Sequence, residues 1–401
     1  MSVNAHALES RRFPLWLAAL APIALLAALV AVIVRTGPAE RLRGENVPPV
    51  ERLAINRAVL NDDGIALSVL NDGPDPVTIA QVTVDDAYWA FTATPANVLK
   101  HLDRATVRVP YPWVEGEAHL LKLVTSTGTT FEHEIPVAVR SPEPTARSLG
   151  VFTLIGLYVG VIPVALGLLW WPLVTRLKST GLDVLLALTI GLLLFLLVDA
   201  LQEGVETASG MAASYQGLTL FVAAALGAYL ALESFSGWLS RRSHARRAGS
   251  PGFILALLVA VGIGLHNLGE GLAIGAAFAL GEAALGTLLI IGFTLHNTTE
   301  GLAIVSPLAR ERPSIGSLAR LGLIGGAPTI VGAWIGGLVY SPVLAVAFLG
   351  FGAGAIAQVI AQIAKQMAGE TTVIERFSSA PILAGLLAGF GVMYATGLMV
   401  G

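Results

Sequence analysis

Two stretches of the chain, HNLGEGLAI from His266 to Ile274 and HNTTEGLAI from His296 to Ile304, repeat the residue types that ligate metal ions. On an α-helix, residues four apart share a face, so His266 pairs with Glu270 and His296 with Glu300. Asn267 and Asn297 stand beside them at a spacing of three. Imidazole nitrogen and carboxylate oxygen suit zinc and other first-row divalent ions, whereas calcium favours oxygen alone. Two histidines and two glutamates supply a tetrahedral set, and the two asparagine carbonyls could widen it. Two ionised glutamates also balance one divalent cation, leaving no net charge in apolar surroundings.

Those surroundings follow from composition. Of 401 residues, 55% are apolar and 13% charged, with a mean hydropathy of +0.74, which predicts an integral membrane protein held in a lipid bilayer. A net charge of −3 gives no case for a nucleic-acid partner. The absence of cysteine excludes disulfides and thiolate metal sites. Ionisable groups deep in a bilayer cost about 2.5–3.5 kcal/mol each, so those that persist face a partner or a cavity. Of the seven histidines, His101, His119 and His133 fall in a β region, His6 near the N-terminus and His244 in a basic loop. His266 and His296 remain. A single motif could merely bond two helices together; a second copy favours a functional site.

The elements that position the motifs follow from patterning. Pro14 to Val34 is an uncharged run of 21 residues between arginines, read as a membrane span, with a cleaved signal peptide as the alternative. From about Val50 to Val139, period-two alternation between Asn-Asp-Gly turns predicts a small all-β domain, an immunoglobulin-like sandwich. Arg140 to Ser148, RSPEPTARS, reads as a linker. Eight apolar segments follow, at about 149–174, 182–202, 212–238, 252–276, 284–306, 317–340, 342–364 and 379–400. The expected division is 1–44 for a cytoplasmic tail and first span, 45–141 for the β domain and 148–401 for the helical domain.

Basic residues sit at alternate connections: Arg176 and Lys178; Arg241, Arg242, Arg246 and Arg247; Arg310 and Arg312; Lys365 and Arg376. The positive-inside rule makes these loops cytoplasmic. The expectation is a multi-pass protein of the cell membrane with nine spans, its β domain and C-terminus outside the cytoplasm. The two motif helices, joined by ALGEAALG, are expected to pack antiparallel so that their motifs meet.

With these residues in place, the chain resembles the ZIP (Zrt/Irt-like) divalent metal transporters over about Ser148 to Gly401, and within them the bacterial branch with HNxxEG in the fourth and fifth core helices. The resemblance implies that His266, Glu270, His296 and Glu300 bind the transported ion, and that Asn267 and Asn297 join Glu300, as a bridge, at a neighbouring second site. It implies an eight-helix core in which one bundle moves against another, and a homodimer. Glu233 resembles the family's acid near the inner face, and Asp199 and Glu203 its acidic outer end.

Three departures stand out. Gly269 and Thr299 replace the proline common before each glutamate. Ala327, in GGAPTIVGA, stands where a metal-site glutamate is usual. Gln358 and Gln362 occupy the seventh helix where acids are frequent, and amide oxygens add no charge. One strong site with a weakened neighbour is expected.

The expected function is transport of divalent transition metal, zinc first and iron or manganese after it, into the cytoplasm, with the metal as cargo and no resident cofactor. No GxxxxGK[ST] segment is present to couple ATP. Protonation of histidine would compete with metal. Enzymatic activity is not expected, because the HExxH order of zinc hydrolases is missing. The alternative is a membrane metal sensor that uses the β domain and does not transport. In that domain Glu132, His133 and Glu134 alternate faces of a strand, so they do not form a ligand set.

Overall fold

The computed structural model describes residues 15–36, 48–246, 250–369 and 371–398; His6, Arg11, Arg12 and Arg247 lie outside the described residues. Helix α1, Leu15–Thr36, carries Pro22 within it and belongs to a compact unit of its own, Met1–Val50.

Alternation of apolar and polar residues builds nine strands next: β1 Leu53–Asn61, β2 Gly64–Asn71, β3 Val77–Val84, β4 Ala87–Trp89, β5 Thr92–Thr94, β6 Val98–Leu99, β7 Arg104–Val109, β8 His119–Thr125 and β9 Thr130–Ile135. They form two antiparallel sheets, ordered β1-β2-β7-β5 and β4-β3-β8-β9, with β6 paired to β3. Every second side chain faces inward. Leu67, Val69, Val77, Ile79, Val107, Leu121 and Leu123 from both sheets make one core, each 0% exposed. Strands β8 and β9 form an antiparallel hairpin.

Thirteen helices in all are described. After α1 come α2 Ala146–Gly156, α3 Ile162–Leu168, α4 Trp171–Val174, α5 Ser179–Ser209, α6 Gly217–Arg246, α7 Pro251–Ala279, α8 Ala283–Val305, α9 Ile315–Gly326, α10 Pro328–Val339, α11 Pro342–Ala368, α12 Val373–Phe377 and α13 Ala380–Gly397. Helices α2 to α4 run through one span, Ala146–Val174, and α9 with α10 through another, Ile315–Val339. Together with α5, α6, α7, α8 and α11 they make, among the described residues, seven helices long and apolar enough to cross a membrane. Nine were expected. The other two fall on α1 and α13, whose apolar stretches Leu20–Ile33 and Ala380–Ala395 are helical.

Helix α7 packs most extensively on α10, α8 on α3, α6 on α11 and α13 on α5. Glycine makes two of these contacts possible: a Cβ added at Gly271 would stand 2.1 Å from the Thr329 carbonyl oxygen, and one at Gly301 2.2 Å from that of Val164. Missing side chains let backbones approach without bulky residues between them.

The β domain rests on three loops of the helical part. The Asp72 carboxylate accepts hydrogen bonds from the backbone amides of Ala213 (2.7 Å) and Ser214 (2.8 Å) between α5 and α6. Arg104 donates to the Tyr215 hydroxyl at 2.7 Å. The Val137 carbonyl oxygen meets Gly281 between α7 and α8, where an added Cβ would lie 3.0 Å away. Arg57 lies near enough to Tyr340, between α10 and α11, for each charge to act on the other.

Two outcomes follow from this packing. Gly271→Ala should cost about 1–3 kcal/mol of stability by overpacking, whereas Gly391→Ala, with nothing within 4 Å of the new Cβ, should leave the thermal melt unchanged or raised. Burial alone would raise the Asp72 carboxyl, but hydrogen bonds from Ser214 and Ala213 and the charge of Arg52 outweigh it and hold the group below the ordinary carboxylate range. A depressed pKa stabilises the docked state above the ordinary aspartate value of about 3.9 and loses that contribution as pH falls through the lowered one. Hydrogen exchange at Ser214 should therefore quicken relative to core strands below about pH 4.

Candidate metal centre

Helices α7 and α8 are antiparallel neighbours joined by Leu280, Gly281 and Glu282, and they bring the two motifs together as the spacing predicts. One ligand atom each from His266, Glu270, His296 and Glu300 lies within 4.8 Å of all the others. All four side chains are buried, Glu300 at 2% and His296 at 9% exposed, so the histidine is the more accessible end of the set. No other group of this kind occurs among the described residues.

Glu270 lies between the two imidazoles. Its Oε1 makes a close hydrogen bond with His296 Nε2 and stands 3.2 Å from His266 Nε2, the latter without hydrogen-bond geometry. The asparagines bond across the helix pair rather than along it. Asn267 on α7 donates to Glu300 Oε2 on α8 at 3.0 Å, and Asn297 on α8 donates to Glu270 Oε2 on α7 at 3.0 Å. Each motif thus holds the other motif's carboxylate. Asn267 stands with Glu300 as the resemblance implies, and Asn297 stands with Glu270.

The second amide hydrogen of each asparagine goes to a backbone carbonyl at a helix break. Asn297 donates to the Val159 oxygen at 2.9 Å. In an unbroken α-helix that oxygen would accept from residue 163, which is proline and has no N–H. The helix widens there into a π turn, Leu157–Val161, and the freed carbonyl turns to the asparagine. Asn267 donates to the Gly325 oxygen at 3.0 Å, next to the break at Ala327 and Pro328 between α9 and α10. Pro163 is a contributor that motif reading did not single out; a proline in mid-span was the available signal.

Four buried polar atoms are left without a hydrogen-bond partner: His266 Nε2, Glu300 Oε1, Asn267 Oδ1 and Asn297 Oδ1. Unpaired groups of this kind cost about 1–3 kcal/mol each. His266 Nε2 and Glu300 Oε1 belong to the clustered ligands and can each offer a lone pair, a nitrogen and an oxygen of the kind that suits a first-row divalent ion.

A cavity of about 610 Å³ leads to the cluster from the side on which the β domain rests. Asp199, Glu203, Glu206, Glu282 and Tyr340 line it, and His296 stands at its floor. A void of about 10 Å³, bordered by Asp199, Glu203, His266 and Glu270, shares its walls. The expected outer acids therefore do face the site. Glu206 joins them because positions 199, 203 and 206 recur at helical spacing on one face of α5.

On the far side, Gln358 of α11 is fully buried and donates to Glu233 Oε2 at 3.1 Å, while Lys365 reaches Glu233 Oε1 at 3.2 Å. Gln362 is half-buried one turn further on. Ala327 caps the break without offering a ligand. Gly269 and Thr299 leave α7 and α8 continuous through their motifs, so neither helix is broken at the site. In the β domain, His119 bonds Asp85 at 2.8 Å and His101 bonds the Gly73 carbonyl at 2.7 Å. His133 and its two glutamate neighbours alternate in exposure along β9.

The chain is thus a mostly helical, multi-pass membrane protein with an N-terminal β-sheet domain and a buried His/Glu cluster. In comparison with protein-family models and with curated proteins, no match to the chain was found.

If the asparagines orient the carboxylates, Asn267→Ala and Asn297→Ala should each weaken binding of zinc or cadmium by roughly 10–100-fold, as outer-shell partners of metal ligands do. Equilibrium dialysis of the purified protein measures this. Wild-type affinity in both variants would remove the orienting role.

Proposed function

We propose that the protein is a secondary carrier of divalent transition-metal ions, zinc first among them, that moves its cargo from the side of the β domain into the cytoplasm. In this reading it is a carrier of the ZIP kind, in the cell membrane as a homodimer, with an immunoglobulin-like domain and the C-terminus outside. The observation that carries it is the convergence of His266, Glu270, His296 and Glu300 at the floor of an acid-lined cavity. A cleft lined by one sign of charge raises the local concentration of the opposite ion. Asp199, Glu203, Glu206 and Glu282 would gather cations, and His296, the most accessible of the four ligands, would meet the ion first.

Within the cluster, Glu270 and Glu300 supply the two negative charges, and the bound ion would take the place of the contact that now joins His296 to Glu270. Asn267 and Asn297 keep both carboxylates turned inward. Beyond the cluster, Glu233 is already engaged by Lys365 and Gln358. This supports a single strong site over a pair.

The test is metal uptake into proteoliposomes. Wild type should accumulate zinc, with cadmium, manganese and iron as competitors, and His296→Ala and Glu270→Ala should reduce uptake to the level of empty vesicles. Docking of the β domain beside the cavity mouth favours a second reading, a receptor that binds metal without carrying it. Binding lost in Glu300→Ala together with no flux in wild type would establish that reading instead.

A further inference from the structure

The helices can be taken as two sets joined by an extensive seam. One contains α2, α3, α7, α8, α9 and α10; the other contains α5, α6, α11 and α13. Inside each group backbones touch, as where a Cβ added at Gly354 of α11 would stand 1.9 Å from the Ala225 oxygen of α6. The main seam between groups is α7 against α11. There Gly262 meets the side chain of Val359 and Gly352 meets His266 Cα, at 2.5 and 3.1 Å from the added Cβ.

The β domain holds both groups. Asp72 and Arg104 bond the α5–α6 loop, which belongs to the second group. Val137 meets the α7–α8 loop of the first, and Arg57 lies near enough to Tyr340, where α10 passes into α11, to interact with it electrostatically. Glu206 and Thr207 on one side of the cavity mouth, and Glu282 and Tyr340 on the other, lie next to these contacts. The docked domain therefore spans the mouth and joins its two rims.

The contacts are also of the kind that can be released. Asp72 binds two backbone amides as a helix N-cap would, through a short side chain near solvent. Arg57 has a buried Nε with no hydrogen-bond partner, so its side of the interface is not fully satisfied.

We propose that the β domain is a strap across the cavity mouth that holds the two helix groups in the cavity-open arrangement and must let go of the α5–α6 loop for that arrangement to change. This rests on the reading of the protein as a carrier. A strap fixed to both rims lets an ion reach His296 and opposes the relative movement that would carry it further.

The absence of native cysteine makes the test direct. Asp72→Cys with Ser214→Cys places two thiols where a carboxylate now touches an amide, within reach of a disulfide. Cross-linked protein in proteoliposomes should lose zinc uptake and regain it on reduction. Uptake by the cross-linked form equal to that of the reduced form would overturn the strap. In a second arm, Ala273→Cys on the cavity wall is labelled with a membrane-impermeant maleimide. Adding Asp72→Ala and Arg104→Ala should slow that labelling several-fold as the open arrangement loses its support, and an unchanged rate would again overturn the proposal. If wild type shows no uptake at all, the carrier reading fails while the labelling arm still decides the strap.

Discussion

A carboxylate buried among apolar helices needs hydrogen bonds to remain charged, and here each of two carboxylates receives one from an asparagine on the opposite helix. An asparagine amide has two hydrogens, and both are committed. One holds a glutamate and the other holds a backbone carbonyl of a third or fourth helix. The result ties α7 to α9 and α8 to the π turn after α2 through the same atoms that orient Glu270 and Glu300. Packing and ligand geometry are therefore one problem in this molecule. Moving either broken helix moves a carboxylate.

That coupling explains the placement of small residues and prolines. The asparagine reaches a neighbouring carbonyl only if the backbones nearly touch, which Gly271 and Gly301 permit one turn past each histidine. The carbonyl is available only if its own helix does not use it, which Pro163 and the break before Pro328 provide. The cavity opens where this tight arrangement ends, and the acids of α5 face it from the neighbouring helix group. Polar atoms lie in the bilayer region because breaks, seams and motifs coincide there.

Much of this was legible in the sequence because it depends on local periodicity. The repeat HNxxEG, its placement on consecutive helices, the alternating strands between residues 53 and 135 and the basic residues at alternate loops all carry regular spacings that sequence preserves. The bond from Asn297 to Glu270 was not legible, since helical spacing pairs that asparagine with the glutamate of its own motif. Val159 was invisible for a related reason: its carbonyl is identical to every other until Pro163 frees it, and Asn297 lies far along the chain. Docking of Asp72 on Ala213 and Ser214 involves backbone amides, which have no sequence signature.

The two broken helices have a further consequence. Helix α7 with α9 and α10, and α8 with α2 and α3, are alike in connection: an asparagine bonded to a freed carbonyl, a glycine against a backbone oxygen, a proline at the interruption. Helices α7 and α8 run in opposite directions, so the two halves face each other head to tail across the motif pair. Yet they are not in the same conformation, for one interruption is a π turn and the other a clean stop. The two carboxylates therefore answer to different breaks: a change at Pro163 reaches Glu270 through Asn297, and one at Pro328 reaches Glu300 through Asn267.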